Sequence, residues 1–219
     1  MKADLRLYAL VDPAVAGGRS LTELAQLIAG HATLVQLRDK HGSTRAMIEE
    51  ARALHAVLKP AGIPLLINDR VDVALAAGVE GVHIGQDDMP VNNARRLLGP
   101  AAIIGLSVKT VAQAEAAPLD LLDYVAIGGV YATTSKDTIS APVGIAGLRT
   151  IAQTVRARAP AYPICAIAGI DQSNAGDVIG AGADGVAVIS ALSLARDPAA
   201  AARDLRAVVD DALERRGRS

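Results

Sequence analysis

A chain of 219 residues with 22 Lys plus Arg against 23 Asp plus Glu carries a net charge of −1, so no global field draws it to nucleic acid or to an anionic membrane. Phe and Trp are absent and only four Tyr occur, which removes the aromatic platforms for nucleobases and leaves a core of Ala, Val, Leu and Ile. No apolar run reaches the roughly 20 residues that span a bilayer, MKADLRLYALVDP has no secretory pattern, and the lone Cys165 excludes a disulfide scaffold or Cys-rich metal site, so a cytoplasmic protein with one catalytic domain over residues 1–219 is expected.

In chain order, an apolar strand at 5–11 (LRLYALV) leads to Asp12 and then to a helix over 20–29, where Ser20 and Glu23 form a capping-box pattern. The second strand, TLVQL at 33–37, contains Gln36 and runs into Arg38, Asp39 and Lys40, and Ser43 caps the helix that continues to Lys59. The third, PLLIN at 64–68, ends on Asn68, Asp69 and Arg70 before a helix closing near Gly78. The fourth, GVHI at 81–84, opens into GQDDMP, with Gln86, Asp87 and Asp88, before a helix closing near Gly99. The fifth, AIIGL at 102–106, is followed by Ser107 and Lys109, with Thr110 as a helix cap. The sixth, YVAIG at 124–128, enters a Gly-rich turn that gathers Thr133, Thr134, Ser135 and Lys136 before a helix over 144–158. The seventh, PICAIAG at 163–169, and the eighth, DGVAVIS at 184–190, deliver Gly169 and Ser190 near helix starts, and Pro198 opens the last helix.

Strand followed by helix, eight times, predicts parallel strands joined by helical crossovers and an α/β fold, a single (β/α)8 TIM barrel. A doubly wound open sheet is the alternative. In the barrel every strand's C-terminal end lies on one rim, so polar residues distant in sequence share a site.

Their chemistry suits phosphate. Thr and Ser offer short hydroxyl donors, Lys and Arg supply positive charge, and glycine lets backbone N–H groups close on an oxyanion. The Thr/Ser loop with Gly169 and Ser190 can hold one monophosphate, and Arg38, Lys40 and Lys136 a more highly charged group. Asp69 and Asp88 are hard oxygen ligands of the kind Mg²⁺ uses; the bland alternatives are a helix cap for Asp69 and a turn-fixing role before Pro90 for Asp88. His31, His41 and His55 read as loop or exposed helix residues. His83 either orients Gln86 or a substrate ring or is a buried structural histidine, and the RRGRS end reads as a solvated tail.

The ordered segments QLRDK at 36–40, INDRVDVALAAGVEGVHIGQDDMP at 67–90, GLS at 105–107, YVAIGGVYATTSKDT at 124–138, AIAGI at 166–170 and GVAVIS at 185–190 resemble the thiamine-phosphate synthase family. The resemblance implies a (β/α)8 barrel that joins 4-amino-2-methyl-5-hydroxymethylpyrimidine diphosphate to 4-methyl-5-(2-phosphooxyethyl)thiazole, giving thiamine phosphate and pyrophosphate with Mg²⁺ as cofactor. It places Gln36, Leu37, Arg38, Asp39, Lys40, Asn68, Ser107 and Lys136 at the pyrimidine diphosphate, with Arg38, Lys40, Ser107 and Lys136 in the chemistry. By the same likeness Asp69 and Asp88 hold Mg²⁺, and Thr133, Thr134, Ser135, Gly169, Ile189 and Ser190 hold the thiazole phosphate. Gly129, Ala132, Ser135 and Ala168 depart from the family's usual residues. A thiazole tautomerase on the same barrel and a non-catalytic phosphate-ligand sensor are the alternative functions. Residues 131–142 are the expected cover over the substrates, and barrel helix faces allow a homo-oligomer.

Overall fold

The short Val/Ile/Leu-rich runs pair as eight parallel strands in a closed barrel, in a computed structural model that describes residues 3–133 and 141–217. The strands are β1 (Leu7–Val11), β2 (Leu34–Leu37), β3 (Leu65–Asn68), β4 (Gly81–Ile84), β5 (Ile103–Val108), β6 (Tyr124–Ile127), β7 (Ile164–Ile167) and β8 (Gly185–Val188). The helices are α1 (Leu21–Ile28), α2 (Thr44–Leu58), α3 (Val71–Ala77), α4 (Val91–Leu98), α5 (Val111–Ala116), α6 (Gly144–Arg158), α7 (Ala175–Gly180), α8 (Ser190–Ser193) and α9 (Pro198–Gly217). Closure is made by β1 against β8, with Leu7 opposite Val186 and Ala9 opposite Val188, and this excludes the open sheet.

Local chemistry sets the helix ends. Ser20, Ser43 and Thr110 each accept the backbone N–H three residues on, from Glu23, Ala46 and Gln113. Gly78 ends α3 at φ 73°, a left-handed geometry that costs glycine nothing. The strands alternate their side chains between two apolar layers. Leu10, Leu34, Leu66, Ile103, Ala126, Cys165 and Ala187 belong to the cluster that fills the barrel with Tyr8 and Tyr124, whereas Val11, Val35, Leu37 and Ile67 belong to the layer under the helices.

The barrel floor carries a fourfold repeat that the sequence reading missed. The residue directly before each even-numbered strand accepts the N–H of a residue in the preceding odd strand: Thr33 from Leu7 (3.0 Å), Glu80 from Leu65 (2.9 Å), Asp123 from Ile104 (2.8 Å) and Asp184 from Ile164 (2.9 Å). Each of the three acids also holds a basic group on the helix that precedes the odd strand, His55 on α2, Arg95 on α4 and Arg156 on α6 respectively. His55 is therefore a partner of Glu80 and not a loose surface residue. Arg216 likewise donates to Asp184 (2.6 Å) and to the carbonyls of Ile179 and Ala183, so the basic tail tethers α9 to the floor. Asp123→Ala strands the Ile104 N–H and the Arg95 guanidinium, and is expected to lower unfolding stability by about 2 kcal/mol. Urea unfolding with an unchanged m-value measures it; a shift below about 0.5 kcal/mol would show that the floor bonds add nothing net.

Two details differ from expectation. β5 runs on to Val108, because Ser107 and Val108 pair with Ala126 and Ile127, so Ser107 lies within a strand. Gly169 is separated from α7 by residues 170–174 and is not at a helix start. Ser190 does begin a helix, the one-turn α8, as expected of it. Among the described residues no helix is long and apolar enough to cross a membrane.

Candidate active site

The C-terminal rim divides into a charged half over β1 to β5 and a cavity over β6 to β8. In the charged half, Arg38 follows β2 and pairs with the buried Asp12 at the end of β1. Asp12 also accepts the N–H of Ala14 (2.9 Å), so the carboxylate that orients the guanidinium is itself fixed. Lys40 reaches across to Asp69 after β3, while Asn68, the last residue of β3, is buried beside it. Asp69 sits at φ 63°, a left-handed geometry that Asp tolerates better than most residues.

Asp88 accepts the N–H of Gly85 (2.7 Å), which fixes the turn, and its carboxyl group faces that of Asp69. Burial, and then the facing Asp69, push the Asp88 carboxyl above its ordinary range. Two facing carboxyl groups, with Lys40 as the neighbouring cation, have the oxygen donors for a divalent ion, and the turn-fixing role of Asp88 coexists with that use. No group of three or more His, Cys, Asp or Glu gathers around a common point among the described residues. The pair therefore fits Mg²⁺, which binds through one or two carboxylates when water and substrate oxygens complete its shell.

Below the mouth, five polar side chains form a hydrogen-bonded row through the barrel. Gln36 donates through Nε2 to the Tyr8 hydroxyl, and Tyr124 donates to the same oxygen (3.0 Å). His83 Nδ1 meets the Tyr124 hydroxyl at 2.9 Å, and His83 Nε2 meets Ser107 Oγ at 2.8 Å. Gly105 makes this possible, since a Cβ there would lie 2.1 Å from the Tyr124 ring. Burial pushes both phenols well above their usual range, so they remain protonated hydroxyls. His83 is thus the buried, hydrogen-bonded histidine, and Gln86 instead donates to the Ser107 carbonyl (2.6 Å). Buried Gln36 Oε1 has no hydrogen-bond partner among the described residues.

The cavity over β6 to β8 has a volume of about 530 Å³ and is lined by Thr133, Gly169, Ile189 and Ser190 together with Ile167 and Ala168. Loop β6 is laid against loop β7 by the N–H groups of Val130 and Tyr131, which donate to the carbonyls of Ile167 (2.9 Å) and Ala168 (3.1 Å). The first turn of α8 adds N–H groups that have no intrahelical acceptor, which suits an anion.

These positions bring together most of the predicted set. Gln36, Arg38, Lys40, Asn68, Asp69, Asp88 and Ser107 share the charged half, and Thr133, Gly169, Ile189 and Ser190 share the cavity. Leu37 instead buries its side chain beneath the helices. Asp39 accepts the N–H groups of His41 and Gly42 and shapes its own loop. Arg70 turns away to Asp72 and Thr44. Thr134, Ser135 and Lys136, and most of the expected cover, lie outside the described residues. Tyr8 and Tyr124 were missed because alternation marks them only as inward-facing core; the signal that could have found them is Gly105, whose missing side chain leaves room for a ring.

Ala168 occupies φ 87°, where an L-side chain is strained and glycine is not. Ala168→Gly is expected to stabilise the fold by about 0.5–1 kcal/mol, the released strain exceeding the extra unfolded-chain entropy. Chemical denaturation checks the sign, and a destabilised variant would mean that the Ala168 methyl contributes more by packing than the backbone loses.

Comparisons with known proteins agree with this geometry. The family described as Thiamine monophosphate synthase matches residues 7–192. A protein of Agrobacterium fabrum named "Thiamine-phosphate synthase" is 52% identical over 216 residues, covering 98% of this chain and 98% of its own. One of the same name from Chloroflexus aurantiacus is 50% identical over 213 residues, covering 97% of this chain and 96% of its own. The structure titled thiamine phosphate pyrophosphorylase from Pyrococcus furiosus superposes with a TM-score of 0.83 at 34% identity, over 96% of this chain and 98% of that one.

Proposed function

Because the chain belongs to the thiamine monophosphate synthase family and is a transferase that forms thiamine phosphate, we propose that its divided mouth joins 4-amino-2-methyl-5-hydroxymethylpyrimidine diphosphate to 4-methyl-5-(2-phosphooxyethyl)thiazole within one catalytic domain. The observation that carries this assignment of substrates is the division itself: a charged half with Arg38, Lys40 and a carboxylate pair for a diphosphate and its metal, beside a cavity of Thr133, Gly169 and Ser190 for a monophosphate.

Arg38, Lys40 and Ser107 hold the diphosphate, with Asn68 beside them and Lys136 added from the β6 loop. Arg38 is pre-oriented by Asp12, so its remaining donors need no reorganisation when the anion arrives. The Gln36 Oε1 orphan accepts a hydrogen bond from the exocyclic amino group of the pyrimidine and so fixes the ring. Mg²⁺, held by Asp69 and Asp88 with substrate oxygens and water, would supply neutralisation of the diphosphate charge. Thr133, Thr134, Ser135, the backbone of Gly169 and the first turn of α8 hold the thiazole phosphate.

In the reaction the bond between the pyrimidine methylene carbon and the diphosphate oxygen breaks, and the electron pair leaves with pyrophosphate. The pyrimidine ring and its amino group spread the positive charge left on carbon. The lone pair of the thiazole nitrogen then forms the C–N bond. That nitrogen carries no proton, so none has to be removed and no general base is needed; the barrel contributes positioning and charge stabilisation. Pyrophosphate release that requires both substrates and Mg²⁺, matched mole for mole by thiamine phosphate, is the expected result. Release without the thiazole phosphate, or none from folded protein, would overturn the assignment of substrates.

A further inference from the structure

The row from Gln36 to Ser107 has a direction. Tyr124 gives its only proton to the Tyr8 hydroxyl (3.0 Å), so at His83 its oxygen can only accept, and the proton between them belongs to Nδ1 (2.9 Å). A neutral imidazole has one N–H, so Nε2 is an acceptor and the Ser107 hydroxyl points its proton inward to it (2.8 Å). In this arrangement Ser107 offers only lone pairs to the mouth, which repel a phosphate oxygen. To donate to a diphosphate, Ser107 must turn its proton outward and receive one from His83 instead. His83 then carries its proton on Nε2, Nδ1 accepts, and Tyr124 swings its proton from Tyr8 to His83. The count of protons on Ser107, His83 and Tyr124 is the same in both arrangements, one each.

We propose that Ser107, His83, Tyr124 and Tyr8 form a two-state hydroxyl row, in which capture of the diphosphate by Ser107 moves the His83 proton from Nδ1 to Nε2 and withdraws the Tyr124 proton from Tyr8. The proposal rests on the diphosphate site assigned above. His83 and Tyr124 are then positioning residues for Ser107. Because Tyr8 also receives the Gln36 amide, the row links the group that holds the diphosphate to the one that holds the pyrimidine ring. Two discrete arrangements, each biased by a ligand at one end, are what coupling between the two ends requires.

The test uses full-length protein labelled with ¹⁵N at histidine, with inorganic pyrophosphate and Mg²⁺ as the probe and His83→Gln to identify the resonance. The expected result is the Nδ1–H tautomer in the free protein and Nε2–H with the probe bound. One tautomer in both states, in protein that makes thiamine phosphate, overturns the row and leaves the assigned reaction standing. Protein that neither binds pyrophosphate nor makes thiamine phosphate removes both.

Two variants move in opposite directions. Tyr124→Phe deprives the Nε2–H state of the phenol proton that His83 Nδ1 accepts, and should weaken pyrophosphate binding about tenfold while leaving thiazole phosphate within about twofold. Tyr8→Phe removes the acceptor that competes for the Tyr124 proton, so the free protein should already hold Nε2–H and bind pyrophosphate no more weakly than the parent. Equal weakening in the two variants would reduce the phenols to a packing role and overturn the proposal. If Tyr124→Phe does not fold, the tautomer and affinity of Tyr8→Phe decide it.

Discussion

Asp69→Asn is expected to lower kcat/KM for the pyrimidine diphosphate by about 10²–10³, with the melting temperature within about 2 °C of the parent. Asn is the chosen replacement because residue 69 lies at φ 63°, a region that Asn and Asp enter more readily than other L-residues. The change removes a charge and keeps the shape. Asp69 touches the two groups that matter for a divalent ion: it pairs with Lys40 and faces the Asp88 carboxyl. Without its charge the pair keeps a single carboxylate, which weakens Mg²⁺ binding beside the diphosphate. Lys40 is released at the same time and can move onto the diphosphate, which limits the loss. Raising Mg²⁺ should therefore recover part of the activity. Steady-state rates across a Mg²⁺ series, beside a thermal melt, separate the cases: a folded variant with parental kcat/KM at low Mg²⁺ would remove Asp69 from the metal site. Asp69→Ala should show the same chemical defect and lose about 1 kcal/mol of stability besides, because Ala has no local hydrogen bond to support the left-handed backbone.

The barrel was legible because its strands are short and apolar on both faces, as parallel strands covered by helices must be. Residues such as Leu34 and Leu66 inside the barrel and Val35 and Ile67 under the helices make near-continuous runs that punctuated helices separate. Once eight such runs are counted, the rim follows from topology, and Arg38, Asp69, Asp88 and Gly169 fall together without further information. What each rim residue does was less legible. Arg38, Asp39, Lys40 and Arg70 look alike as charged loop residues. Yet Arg38 is held toward the mouth by Asp12, Asp39 is consumed by its own loop, and Arg70 is drawn aside by Asp72. Those choices depend on partners up to 26 residues away. The floor was hidden for the same reason, since Glu80, Asp123 and Asp184 read as ordinary polar residues before strands until the odd strand's N–H and a basic helix residue are placed beside them.

Gly169→Ala should separate the two halves of the mouth, lowering kcat/KM for the thiazole phosphate about 10²-fold while pyrophosphate affinity stays within about twofold. The argument starts from the backbone. Residue 169 has φ 65°, and a Cβ there would lie 2.6 Å from the Ala132 carbonyl oxygen and 2.6 Å from Tyr131 Cβ. Neither neighbour is the free end of a flexible side chain, so the β6 loop must shift. That loop is bonded to β7 on the near side of the clash, through Val130 to Ile167 and Tyr131 to Ala168, which leaves Ala132 and Thr133 to take up the displacement. Thr133 lines the cavity assigned to the thiazole phosphate, and a shift on the order of 1 Å in a phosphate donor is enough to spoil the approach of the thiazole nitrogen. The left-handed backbone adds about 1–2 kcal/mol of strain, visible as a lower melting temperature. Arg38, Lys40 and Asp69 stand on the loops after β2 and β3, across the barrel, and share no partner with residue 169, so the diphosphate half should be spared. Calorimetric titration of each ligand decides: equal losses on both sides would mean a general loosening of the barrel, and no loss at the thiazole phosphate would mean that Gly169 is not part of its site.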